Sequence, residues 1–152
     1  MVSKIKKSKI VCVSHKEDAD GISSAALIKQ AFGGETILVD YPGMMDSMEP
    51  LRTDQKLKEL YICDVGLNKK NESDFVELLT QLRKRSVKVA YIDHHDLDKK
   101  IIKQLEKIKV KVLSLIPFFA HLIINMRSIR TGLGLLSVAS QKSINVKGKK
   151  TT

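Results

Sequence analysis

The chain has 152 residues, of which 43% are hydrophobic and 29% charged, which suits one globular core and is too apolar for a disordered polypeptide. Only 5% are aromatic and Trp is absent, so a platform that stacks several bases of a single strand would be poorly supplied. The net charge of +10 is uneven: residues 1–106 carry 18 basic against 17 acidic side chains, and residues 107–152 carry 9 basic and no acidic ones, so attraction for a polyanion belongs to the tail and not to the body.

The amino terminus, MVSKIKKSKI, lacks the apolar stretch and cleavage site of a secretory signal, and a cytoplasmic protein is expected. Short apolar runs rich in β-branched residues then alternate with segments of helical period, the pattern of stacked βαβ units. A first strand is predicted over residues 10–13, holding Cys12, and a helix over 22–32. The second strand is residues 37–39. The stretch YPGMMDSMEP, bracketed by prolines, reads as an irregular loop whose methionines pack rather than bind a cofactor. Residues 60–63 form the third strand, ending at Cys63; both cysteines lie in apolar runs and are expected to be buried free thiols. From about Asn71 a helix follows, with Phe75, Leu78, Leu79 and Leu82 at i, i+3, i+4 and i+7. Residues 87–92 are the fourth strand, and the segment from Ile101 supplies a further helix and a fifth strand. Near-continuous apolar strands imply cover on both sides. The expected fold is therefore α/β, an open, mainly parallel sheet with helices on both faces.

Three segments are expected: a domain over 1–111, an atypical apolar segment over 112–140, and a basic disordered tail over 141–152. The apolar residues 112–126 are fewer than the ~20 needed to span a bilayer and include Ser, Pro, His and Asn, so no membrane association is expected. No internal repeat is visible.

Each of the first four strands runs into a residue able to bind a metal or a proton: His15, Asp40, Asp64 and Asp93. In an open parallel sheet, ligands bind beyond the carboxyl ends of the strands, where these side chains would converge. Next to His15 come Asp18 and Asp20, an oxygen and nitrogen cluster that suits a divalent cation, with imidazole favouring a transition metal such as Mn over Ca. Gly21 allows a sharp turn, and the following helix start could cradle an anion. An equally weighted reading makes this stretch a turn and helix cap, with Asp20 capping. The run Tyr91-Ile92-Asp93-His94-His95-Asp96 favours a metal, or one ligand and one cation facing a phosphate. Asp64 either caps the next helix or, better, bridges two metals ~3.5 to 4 Å apart, the spacing used in in-line phosphoryl displacement.

Together these residues resemble the DHH phosphoesterase superfamily, which includes RecJ-like exonucleases, nanoRNases, cyclic-dinucleotide phosphodiesterases and family II inorganic pyrophosphatases. SHKEDADG, ICDVG and IDHH stand in the family's order, each after a strand, over residues 10–98. The resemblance implies a two-metal centre, usually manganese with Mg or Co as alternatives. His15 and Asp18 would lie on one ion and Asp20 and His94 on the other, with Asp64 between them. His95 would face the substrate phosphate, and Asp93 would orient the imidazoles or assist at the metal. Asp40 and Asp96 match no family ligand and are read as structural. Family members also carry a later aspartate ligand and a second, glycine-rich substrate domain. Here nothing acidic follows Glu106, Thr131-Gly132-Leu133-Gly134 is a weak substitute, and His121 is incidental. A truncated or frameshifted product is expected on that ground.

The function implied is hydrolysis of phosphodiester bonds in oligonucleotides or nucleic-acid ends by a metal-activated water. Its alternatives are an incomplete domain that binds nucleic acid or a protein partner without turnover, a pyrophosphatase-like hydrolase, and a fragment without a stable fold.

Overall fold

The computed structural model describes residues 9–95 and 97–114. In chain order they form β1 (Lys9–His15), α1 (Ala19–Phe32), β2 (Glu35–Val39), α2 (Met44–Met48), a 3-10 turn (Glu49–Arg52), β3 (Leu57–Cys63), α3 (Glu72–Lys84), β4 (Lys88–Asp93), α4 (Lys99–Lys107) and β5 (Lys111–Ser114). The strands lie in the order β2-β1-β3-β4-β5, and every neighbouring pair is parallel. All carboxyl ends therefore point to one edge. The chain moves outward from β1 to β2, then returns to the other side of β1 for β3, so the strand order switches between β1 and β3. Crevices open at such a point, outside the carboxyl ends.

Alternation along the strands divides the core into two layers. Val11 and Val13 of β1, Leu60 and Ile62 of β3, and Val89 and Tyr91 of β4 face one side, where the stripe Phe75, Leu78, Leu79 and Leu82 of α3 packs with no solvent exposure. Cys12 and Tyr61 face the other. There α1 covers the sheet, burying Ala25 and Ile28 and stacking Phe32 on Tyr61 with ring centroids 5.0 Å apart. The architecture is the α/β, parallel, two-faced sheet expected from the sequence. Both cysteines are buried free thiols, and the Cys63 thiol is pushed up by its neighbour Cys12 and by burial.

Two local expectations need correction. Residues 41–50 are not an irregular loop: α2 and the 3-10 turn occupy most of them, with Pro50 at the start of the turn. A five-residue helix is too short to display a periodic apolar stripe, although Met44, Met48 and Leu51 are buried in the core. Helix α1 also begins three residues before the predicted start. Its cap is Asp18, whose Oδ1 accepts from the Gly21 N–H at 2.8 Å, while Asp20 lies within the first turn. Gly21 permits close packing rather than a turn, since a Cβ there would stand 2.1 Å from the His15 carbonyl oxygen.

β5 takes in the first three residues of the apolar segment that begins at 112. The remainder of that segment, the basic tail, His121, residues 131–134 and Asp96 lie outside the described residues. Among the described residues no helix is long and apolar enough to cross a membrane.

Candidate metal centre

The carboxyl edge of the sheet gathers the ionisable residues. His15 closes β1, Asp18 and Asp20 open α1, Asp64 follows β3, and Asp93, His94 and His95 end and follow β4. Asp64 leaves the strand in the left-handed region, φ 54°, a conformation that Asp and Asn tolerate better than most residues and that clusters at functional sites. Its backbone N–H donates to the Ile92 carbonyl at 2.9 Å, which ties this turn to β4. Ser14, fully buried, does the same on the other side: its hydroxyl lies 2.7 Å from the Gly21 carbonyl and 2.9 Å from that of Cys63. A polar side chain inside an apolar strand was the signal for this brace, and sequence reasoning passed over it.

The structure brings all seven predicted site residues into one connected cluster. His15 Nδ1 is 2.9 Å from Asp18 Oδ2, and ligand atoms of His15, Asp18 and Asp64 lie within 4.8 Å of one another. The His94 ring stands between two carboxylates, with Nε2 3.5 Å from Asp64 Oδ1 and Nδ1 4.0 Å from Asp20 Oδ2. His95 Nδ1 is 2.7 Å from Asp93 Oδ1 and 3.7 Å from Asp64 Oδ1. The same Asp93 oxygen accepts from the His95 backbone N–H at 2.9 Å, which leaves Nε2 as the ring atom for any further partner.

Among the described residues two sets of potential ligand atoms emerge, each within 4.8 Å: His15, Asp18 and Asp64, and Asp64, Asp93, His94 and His95. Asp64 belongs to both. Asp20 falls outside both sets and meets the cluster through His94. Asp40 turns away to Lys16, 2.6 Å from its Nζ, which holds its carboxyl below the usual range. The next residue, Tyr41, faces the cluster instead, its ring 4.8 Å from that of His15. Burial raises the Tyr41 phenol; a hydrogen bond from Gly66 opposes this, and the charges of Asp64, Asp93 and Asp18 add to the rise. Tyr41 was not singled out from the sequence, because nothing in YPGMMDSMEP shows which way its ring points.

Three carboxylates, those of Asp18, Asp64 and Asp93, set the electrostatics of the cluster. Burial, then the charge and hydrogen bond of Asp18, then the charge of Asp93, push the Asp64 carboxyl up to about 6, against the opposing pull of His95. Asp18 is held below its usual value by the Gly21 N–H and by His15. Neighbouring carboxylates resist being ionised together. Two buried atoms of the cluster, His15 Nε2 and Asp64 Oδ2, have no hydrogen-bond partner, and a buried polar atom without a partner is costly. Imidazole nitrogens and carboxylate oxygens that converge with unsatisfied lone pairs fit a divalent cation.

The model of the DHH family's N-terminal domain matches residues 9–114. The chain belongs to the DHH family. That match covers the five strands of the described residues and every residue of the cluster, with the Asp93-His94-His95 triplet at the end of β4. Comparison with individual curated proteins finds no match. Membership places the chain in a phosphoesterase superfamily, and its acidic and imidazole groups form a set able to hold a divalent metal.

Proposed function

We propose that this DHH domain is a metal-dependent phosphoesterase hydrolysing phosphodiester bonds of oligonucleotides or nucleic-acid ends at a pair of divalent ions, manganese before magnesium or cobalt. The observation that carries the reading is Asp64, a carboxylate common to two ligand sets whose second oxygen is buried without a hydrogen-bond partner. His15 and Asp18 would hold one ion, Asp20 and His94 the other, with Asp64 between them. When bound, such ions polarise a phosphoryl oxygen and lower the pKa of water.

The residues of the chain do the rest. Asp18 engages His15 Nδ1 and so orients that ring; a carboxylate on one imidazole nitrogen fixes tautomer and orientation. Asp93 does the same for His95, whose Nε2 is left to donate to a substrate phosphate. The basic residues 107–152 would add salt-dependent, sequence-independent affinity for a nucleic acid. A reducing, cytoplasmic setting goes with this reading, supported by two buried free thiols.

Hydrolysis of a short oligonucleotide and of pyrophosphate, each with Mn and against a metal blank, tests the proposal. Turnover of the oligonucleotide that disappears in Asp64→Ala and His94→Ala is expected. Faster turnover of pyrophosphate would move the assignment to a pyrophosphatase-like hydrolase. The lack of any acidic residue after Glu106 favours a second reading, an incomplete domain that binds without turnover. Stoichiometric Mn binding with no hydrolysis of either substrate would select it.

A further inference from the structure

Beneath the cluster lies a group that the proposed chemistry does not use. Tyr91, in β4, is 1% exposed, and its ring meets Phe75 of α3 edge-on, centroids 6.0 Å apart at 79°. Phe would fill this space equally well. The hydroxyl of Tyr91 lies 2.6 Å from the Val65 carbonyl oxygen and 2.7 Å from Asp93 Oδ2. One O–H is thus shared by two acceptors from the two loops that matter most. Val65 directly follows Asp64, and the other oxygen of Asp93 holds both the backbone N–H and the ring nitrogen of His95. Residues two apart on a strand share a face, so Tyr91 stands in the core directly below Asp93, where no water replaces a lost donor.

We infer that the Tyr91 hydroxyl is a positioning group that sets the Asp64 turn against the Asp93-His94-His95 triplet, so that Asp64 and the two imidazoles face one another. This deepens the metal-centre reading and rests on it. Without the O–H, Asp93 keeps His95 but loses the contact that fixes its own carboxylate plane, and the Asp64 turn loses the side-chain hydrogen bond that ties Val65 to Asp93. Partners of this kind behind a metal ligand are worth 10–100-fold in metal affinity or activity.

The experiment compares the full-length chain with Tyr91→Phe and with Phe75→Leu, which loosens the same ring but keeps the hydroxyl. Mn affinity is measured by titration calorimetry, and the His95 ring is followed by 15N NMR in the metal-free proteins. Tyr91→Phe is expected to bind Mn at least tenfold more weakly and to shift the His95 ring nitrogens. Phe75→Leu is expected to melt at a lower temperature with Mn affinity within twofold of the parent. Unchanged affinity and unchanged His95 resonances in Tyr91→Phe would overturn the inference while the metal centre stands. If the parent itself binds no Mn, the metal reading falls and the NMR comparison alone decides whether Tyr91 positions His95. In the parent chain the Tyr91 hydroxyl proton is expected as a slowly exchanging resonance; a freely exchanging one would overturn the inference however the variant folds.

Discussion

Asp64→Asn should stabilise the metal-free protein while removing its response to metal. Asp64 is only 6% exposed and shares its surroundings with Asp18 and Asp93, and its carboxyl is raised from 3.8 to about 6. At pH 7.5 the fold must hold it ionised, and about two pH units at 1.36 kcal/mol each put that cost at about 3 kcal/mol as a ceiling. Asn has the same shape, accepts the left-handed backbone, and can donate its amide to Asp18, so the substitution removes the charge without new strain. For a domain of this size ~1 kcal/mol moves the melting temperature by about 4–8 °C. A rise of at least ~5 °C is expected in EDTA by calorimetry at pH 7.5. Ions that bind only the folded state add ~2.7 kcal/mol at one hundred times Kd, so Mn should raise the melting temperature of the parent and leave that of Asp64→Asn unmoved. A variant less stable than the parent in EDTA, with the Mn-induced rise intact, would refute the reasoning.

The pH dependence follows from the same shift. Because the folded state holds the Asp64 proton more tightly than the unfolded chain, this group's contribution is most favourable below about pH 3.8, declines as pH rises to about 6, and is flat above; denaturant titrations of the metal-free parent and of Asp64→Asn should differ by a slope confined to that window. Gly21→Ala forces a methyl against the His15 carbonyl, 2.1 Å away, so α1 must shift; a loss of ~1–3 kcal/mol and weaker Mn binding are expected, and a variant with parental affinity would show that the helix start does not fix the site. Leu78→Ala, fully buried in the core layer, should cost ~2–5 kcal/mol in urea melts with Mn affinity within twofold of the parent.

Fold and cluster were legible in the sequence to different degrees. Strands buried on both faces write themselves as unbroken apolar runs, and α3 wrote its buried stripe at helical spacing, so element order and the parallel sheet were readable. The carboxyl ends of parallel strands pointed to His15, Asp64 and Asp93, and to Asp40 as well; it was the resemblance of SHKEDADG, ICDVG and IDHH to the DHH motifs that singled out the seven residues from positions far apart in the chain. What escaped were features set by tertiary packing. A five-residue helix such as α2 has no period to show. The choice of Asp18 over Asp20 as cap depends on how closely Gly21 lets α1 approach β1. The turning of Tyr41 toward the carboxylates and of Asp40 toward Lys16 is decided by neighbours in space, as is the bridge from Tyr91 to Val65 and Asp93, which reads in the sequence as one more core aromatic.

The account stands on Asp64 joining two metal sites. Anomalous diffraction at the manganese edge, from crystals grown with MnCl2, tests this most directly. Two peaks ~3.5–4 Å apart, flanking the Asp64 carboxylate with His15 and Asp18 on one side and His94 on the other, are expected. Absence of manganese beside Asp64, or a single ion that leaves one of the two ligand sets empty, would contradict it.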